Sequence, residues 1–180
     1  MKRIFLTLSC LFLFISISAQ QPGNKKESEQ SFIDMGFGLF IHWSVDSQLG
    51  AVISHSLSGA SSDYCDRFFN ELPKTFNPKK FDPDEWAVLA KLAGVKYVVF
   101  TTKHHSGFCM FDTKTTDFNI MNTPFKRDIT REMVNAFRKQ GIAIGFYFSP
   151  EDFWVLHKQN IPIGRLQNKM HYPENNPELM

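Results

Sequence analysis

The feature that most constrains this chain is an alternation of buried-type strands with capped amphipathic segments. Phe37-Gly38-Leu39-Phe40-Ile41-His42-Trp43 is apolar and aromatic and reads as a first strand. Asp82-Pro83-Asp84-Glu85 then opens a helix. Asp82 can accept from the free N–H groups, Pro83 suits the first helical position, and Glu85 completes a capping box. Trp86, Leu89, Ala90 and Ala93 fall on one face before Gly94 stops the helix. Residues 97–102, short and β-branched, form a second strand. Asp128 or Thr130 caps a second helix, striped by Ile129, Met133 and Phe137 and stopped by Gly141; residues 142–149 form a third strand. Strand, helix, strand, helix, strand requires a parallel sheet with right-handed crossovers. The joins at Gly94 and Gly141 are minimal. Those after the strands, 44–77 and 103–126, are long, and loops at the carboxyl ends of parallel strands are where ligands bind.

The flanks read differently. Lys2 and Arg3 precede an apolar stretch, 4–17, that is too short to span a bilayer comfortably, and Ser18-Ala19 offers a cleavage point. Residues 1–19 therefore read as a secretory signal peptide, which places the protein outside the cytoplasm, periplasmic or extracellular, with no membrane attachment after cleavage. Residues 20–31 are polar with Pro and Gly, and read as a flexible leader. Cleavage removes Cys10 and leaves Cys65 and Cys109, one conceivable bridge and no disulfide framework; the apolar setting of Cys109 favours a buried free thiol. A net charge of +2 with mixed signs gives no basic stripe for nucleic acid. Nineteen Phe residues call for a large aromatic core.

Chemistry concentrates at the strand ends. The second strand runs into Lys103-His104-His105-Ser106-Gly107, and the first ends in His42-Trp43. Successive strand residues point to opposite sides, so two adjacent histidines both face a ligand only if the strand twists or the loop turns. Otherwise one enters the site and the other packs or bonds behind it. A His beside an indole suits a sugar, since the imidazole bonds a hydroxyl while the ring covers the C–H face. Three histidines also raise a metal site. Adjacent His-His on a strand is poor chelate geometry, however, and no HExxH motif occurs, so no metal is expected.

The ordered set of motifs resembles the retaining α-L-fucosidases. It comprises Gly38-Leu39-Phe40-Ile41-His42-Trp43, Phe76-Asn77-Pro78-Lys79-Lys80-Phe81-Asp82-Pro83-Asp84-Glu85-Trp86, Ala93-Gly94-Val95-Lys96-Tyr97, Thr101-Thr102-Lys103-His104-His105-Ser106-Gly107-Phe108, Asn122-Thr123-Pro124 with Arg127-Asp128, and Gly145-Phe146-Tyr147-Phe148-Ser149. The resemblance covers about residues 32–155. It implies an α/β fold, the N-terminal portion of a (β/α)8 TIM-like barrel with about three strands present, followed by a β-sandwich domain, with no cofactor. Residues 32–180 are then a partial catalytic barrel, and the partner is a fucosylated glycan. By the same resemblance His42, His104 and His105 bind fucose hydroxyls. Trp43 belongs to the same substrate-binding set, as a sugar contact or only as a wall, and Tyr147 or its neighbour Phe148 faces the sugar. Asp63, followed by Tyr64, stands where the family has a sugar-binding Glu followed by an aromatic.

Retaining hydrolysis needs two carboxyl groups about 5–5.5 Å apart. The resemblance implies that both come from later strands and loops, beyond Met180, so no catalytic residue is assigned in this chain. Glu151 and Asp152 are local carboxylates that match neither role and read as loop caps. The expectation is an exported fucosidase represented by its N-terminal part. The alternative is a truncated, catalytically inactive product with at most weak fucose binding.

Overall fold

The structure is a computed structural model and describes residues 24–163. The expected signal segment lies outside the described residues. Three strands, β1 (Gly38–Ile41), β2 (Tyr97–Lys103) and β3 (Ala143–Phe148), form a parallel sheet in the order β1-β2-β3. Helix α3 (Pro83–Leu92) makes the first crossover and α4 (Ile129–Lys139) the second. Both begin as the sequence predicts. Asp82 accepts from the Glu85 N–H at 3.0 Å, and Asp128 accepts from the Arg131 N–H at 2.8 Å. Asp128 is thus the cap, and Thr130 instead donates its N–H and hydroxyl to the Met110 carbonyl, tying α4 to the loop after β2.

The core lies between one face of the sheet and these helices. Val98 and Phe100 are fully buried on β2, with Ala87 and Ala90 of α3 and Met133, Ala136 and Phe137 of α4 in the same cluster. The face of α3 differs from expectation: Leu89 and Ala93 are exposed, and Ala87 lies inside with Ala90. Small residues there suit the close approach of α3 and α4. A second, aromatic part of the core fills the space beneath the long loops. Trp43 sits 5.2–6.1 Å, centroid to centroid, from the rings of Phe76, Phe81 and Trp86. Phe69, Phe108, Phe118 and Trp154 continue the belt.

Two segments are more ordered than their composition suggests. Residues 26–31 of the leader expected to be flexible are helical, the start of α1 (Lys26–Met35), with Glu27 and Glu29 in the first turn, where acidic side chains favour a helix, and no buried residue. The join 44–77 is not a plain loop. It holds two 3-10 turns and a 14-residue helix, α2 (Ser62–Thr75), capped by Ser61, which turns Cys65, Phe68 and Phe69 inward. Pro73 falls in the last turn of α2 and has no N–H to give the Phe69 carbonyl, so the helix loses one bond there. A short helix, α5 (Phe153–Lys158), follows β3 and is capped by Asp152.

Candidate active site

The ladder between β1 and β2 stops at Ile41, two residues short of the expected strand end. From there the Thr101 side chain replaces it. Its hydroxyl accepts the Trp43 N–H at 3.0 Å and donates to the Trp43 carbonyl at 3.0 Å. This holds the His42-Trp43 corner against β2, with Trp43 in the aromatic core and His42 exposed beside the sheet. Trp43 is therefore a supporting wall, its indole N–H given to Ser47 Oγ at 3.2 Å.

At the tip of β2 the register with β3 slips. Thr101 pairs with Tyr147 but Lys103 with Phe148, leaving Thr102 as an extra residue. Such a bulge re-aims the residues that follow, and a turn closed by Gly107 N–H on the His104 carbonyl comes next. Gly107 is at φ +89°, and a Cβ there would strike the Asp152 carboxylate. The result resolves the problem of two adjacent histidines: the rings of His104 and His105 lie 4.3 Å apart, centroid to centroid.

Around them the other strand tips converge. His42 is 6.0 Å from His104, and Tyr147 stacks on His104 at 5.2 Å and lies 6.1 Å from His42. Phe40 touches both His42 and Tyr147. Tyr147, not Phe148, is the aromatic residue of this cluster; Phe148 lies under the Lys103 ammonium at 5.1 Å. The structure does not bring Asp63 to the cluster. It sits in the first turn of α2, exposed, and pairs with Arg67 at 3.1 Å.

Each strand-two histidine is held by its Nδ1. His104 meets Ser54 Oγ at 2.9 Å, and the same oxygen accepts the Ser106 N–H at 2.8 Å. Ser54 is fully buried at φ +60°, and its N–H goes to Asp46 Oδ1 at 3.1 Å. Asp46 is itself buried, which pushes its carboxyl up to about 6 against the pull of the Ser54 and Asp46 N–H groups and of His55. His104 is driven down to about 4, first by burial and then by the neighbouring His105, His42 and His55, so it is neutral at pH 7.

His105 contacts Ser149 Oγ at 2.6 Å and Glu151 Oε2 at 3.0 Å. Burial lowers its pKa while Glu151 opposes the shift. Beneath them the buried Lys103 ammonium donates to the Ser149 and Glu151 carbonyls and pairs with Asp152 at 3.1 Å. Asp152 is thus a loop cap as expected, whereas Glu151 belongs to the histidine cluster.

Sequence reasoning missed His55, whose ring lies 6.4 Å from His104, and the Ser54 and Asp46 pair. The Ser-rich run 54–62 was the available signal. Among the described residues no three His, Cys, Asp or Glu side chains are grouped as a metal centre requires. No helix among them is long and apolar enough to cross a membrane. Cys65 and Cys109 are buried and free, and burial pushes the Cys109 thiol up to about 11.

Imidazole and phenol rings thus gather at the carboxyl tips of a parallel α/β sheet, and similarity to known proteins places the chain among the glycoside hydrolases. The α-L-fucosidase family model matches residues 18–176. The chain belongs to the α-L-fucosidase family. A putative α-L-fucosidase of Caenorhabditis elegans is 30% identical over 95% of this chain and 39% of its own length. A crystal structure of a GH29 α-L-fucosidase from Bacteroides thetaiotaomicron is 34% identical, with a TM-score of 0.64 over 86% of this chain and 35% of that one. The α-L-fucosidase isoenzyme 1 of Paenibacillus thiaminolyticus is 38% identical, with a TM-score of 0.63 over 85% and 35%. The chain therefore spans less than half the length of these relatives.

Proposed function

We propose that this chain is the fucose-recognising part of an exported α-L-fucosidase that releases terminal α-linked fucose from glycans with retention. In this reading the sheet is the first three strands of an eight-stranded barrel, and the nucleophile and acid/base are carried by chain beyond Met180. The observation that carries it is the convergence of His42, His104, His105 and Tyr147 from three adjacent strand tips. Imidazoles and a phenol present hydrogen-bonding nitrogens and oxygen beside ring faces, which is what a sugar with hydroxyls on an apolar ring requires. The Trp43 wall behind His42 holds the corner without touching the sugar. The fucosyl group is fixed here while the distal carboxylates attack and protonate. The B. thetaiotaomicron relative was crystallised as a trapped covalent intermediate with 2-fluoro-fucosyl fluoride, and a bacterial fucosidase with an iminocyclitol inhibitor, ligands of the type this reading predicts.

The test is hydrolysis of a chromogenic α-L-fucoside by the full-length gene product and by its His42→Ala and His105→Ala variants. Each variant is expected to lose at least about tenfold in kcat/KM. Unchanged hydrolysis in both removes these residues from the site.

A further inference from the structure

The two adjacent histidines meet chemically opposite partners. Ser54 Oγ already accepts the Ser106 N–H, and among the described residues its other hydrogen-bond partner is His104 Nδ1. The hydroxyl is fully buried, so its own hydrogen needs an acceptor, and Nδ1 is the one in reach. That leaves the His104 proton on Nε2. His105 Nδ1 instead faces the Glu151 carboxylate, which when ionised can only accept. A lone pair on Nδ1 there would oppose a lone pair at 3.0 Å, so Nδ1 carries the proton and is shared between Glu151 and Ser149. Nε2 of His105 is then bare.

We propose that His104 and His105 stand in opposite tautomers, set by Ser54 and Glu151, so that one ring donates to a bound sugar and the other accepts from it. The fit is to a vicinal diol. His104 Nε2–H donates to one hydroxyl, that hydroxyl donates to its neighbour, and the neighbour donates to His105 Nε2. Every hydrogen in this chain runs the same way, the arrangement in which successive bonds polarise one another. Two donor rings would leave the second hydroxyl's hydrogen without a ring nitrogen to accept it. Ser54 and Glu151 are positioning residues, since they act through the rings. The identity of the diol as part of fucose rests on the function proposed above; the tautomer assignment does not.

The experiment is a long-range 1H–15N correlation spectrum of the 15N-histidine-labelled protein at pH 7, with L-fucose titrated afterwards. The expected result is a pyridine-type Nδ1 in His104 and a pyridine-type Nε2 in His105. The same tautomer in both rings overturns the proposal. Glu151→Ala keeps the backbone bonds to Ser149 and Lys103 and is expected to move the His105 proton to Nε2. L-fucose binding should then weaken about tenfold, the size of one hydrogen bond. A Glu151→Ala protein whose His105 spectrum matches wild type also overturns it. If the variant does not fold, the wild-type spectrum alone decides. Opposite tautomers without any response to L-fucose would uphold the assignment and refute the fucose-binding function instead.

Discussion

The two flanks of the histidine pair are held by contrasting means. On the β1 side the anchor is dry and centres on a hydroxyl: Ser54, fully buried at φ +60°, strings together Asp46, Ser106 and His104. On the β3 side it is charged: Lys103, Glu151 and Asp152 surround His105, with the carboxylates only partly buried. The difference teaches that one geometric task, aiming an imidazole, has two solutions with different sensitivities. The dry flank answers to backbone strain and pH, and the charged flank to loss of an ion partner.

The largest effect is expected on the charged flank. Lys103→Met leaves Asp152 without its cation and removes two ammonium bonds to carbonyls, and unfolding in urea should show a loss of about 3–5 kcal/mol. A loss below about 1 kcal/mol would mean that the ammonium is not what holds this loop. Next comes Ser54→Ala, which orphans the buried Ser106 N–H at a loss of about 1–3 kcal/mol. Ser54→Gly makes the same deletion but relieves the left-handed backbone, and should be less destabilised by up to about 1 kcal/mol. Equal stabilities for the two would show that the strain at residue 54 is negligible.

The pH response separates the groups on the dry flank. Asp46 is held at about 6 in the fold against 3.8 ordinarily, so its contribution is complete below about pH 4 and lost as pH rises through 6. His104 is held at about 4 against 6.5, so its contribution is complete above pH 6.5 and lost as pH falls towards 4. The two slopes oppose each other, each worth about 1–3 kcal/mol across that window. Asp46→Asn should therefore gain stability as pH rises from 4 to 6.5, and His104→Asn should lose it, in thermal unfolding across a pH series. Slopes of the same sign in both variants would contradict the burial ascribed to one of them.

The smallest effect is expected at Asp63→Ala. An exposed pair at i,i+4 contributes no more than about 0.5 kcal/mol, and L-fucose affinity should stay within about twofold. A larger drop in affinity would bring Asp63 to the sugar after all.

Much of the scaffold was legible because its signals are local. Asp82, Asp128, Gly94 and Gly141 mark helix ends within a few residues of the groups they serve, and the apolar run of β2 needs no partner to be recognised. Helix α2 was harder, since Pro73 and the Ser-rich approach mask an inward stripe of Cys65, Phe68 and Phe69. In the site, His42, His104 and His105 were legible from strand ends, whereas Tyr147 came from the family resemblance, which left Phe148 as the alternative. Ser54 was not, because its partner His104 lies 50 positions away, and nothing local announces such a bond. Glu151 was visible as a carboxylate past β3, but its pairing with His105 depends on the bulge at Thr102, which shifts register only once β2 and β3 are paired.

The parallel register also sets a timetable. The Thr101 hydroxyl joins β2 to residues 58 positions earlier, and every strand pairing here encloses an entire helix. Long-range closures of this kind come late and slowly in folding. Until they form, Phe146 and Phe148, more than half exposed on β3 of this chain, are open to encounters with other chains. Yield during production should therefore depend on temperature and synthesis rate, with slow, cool expression favouring the soluble form.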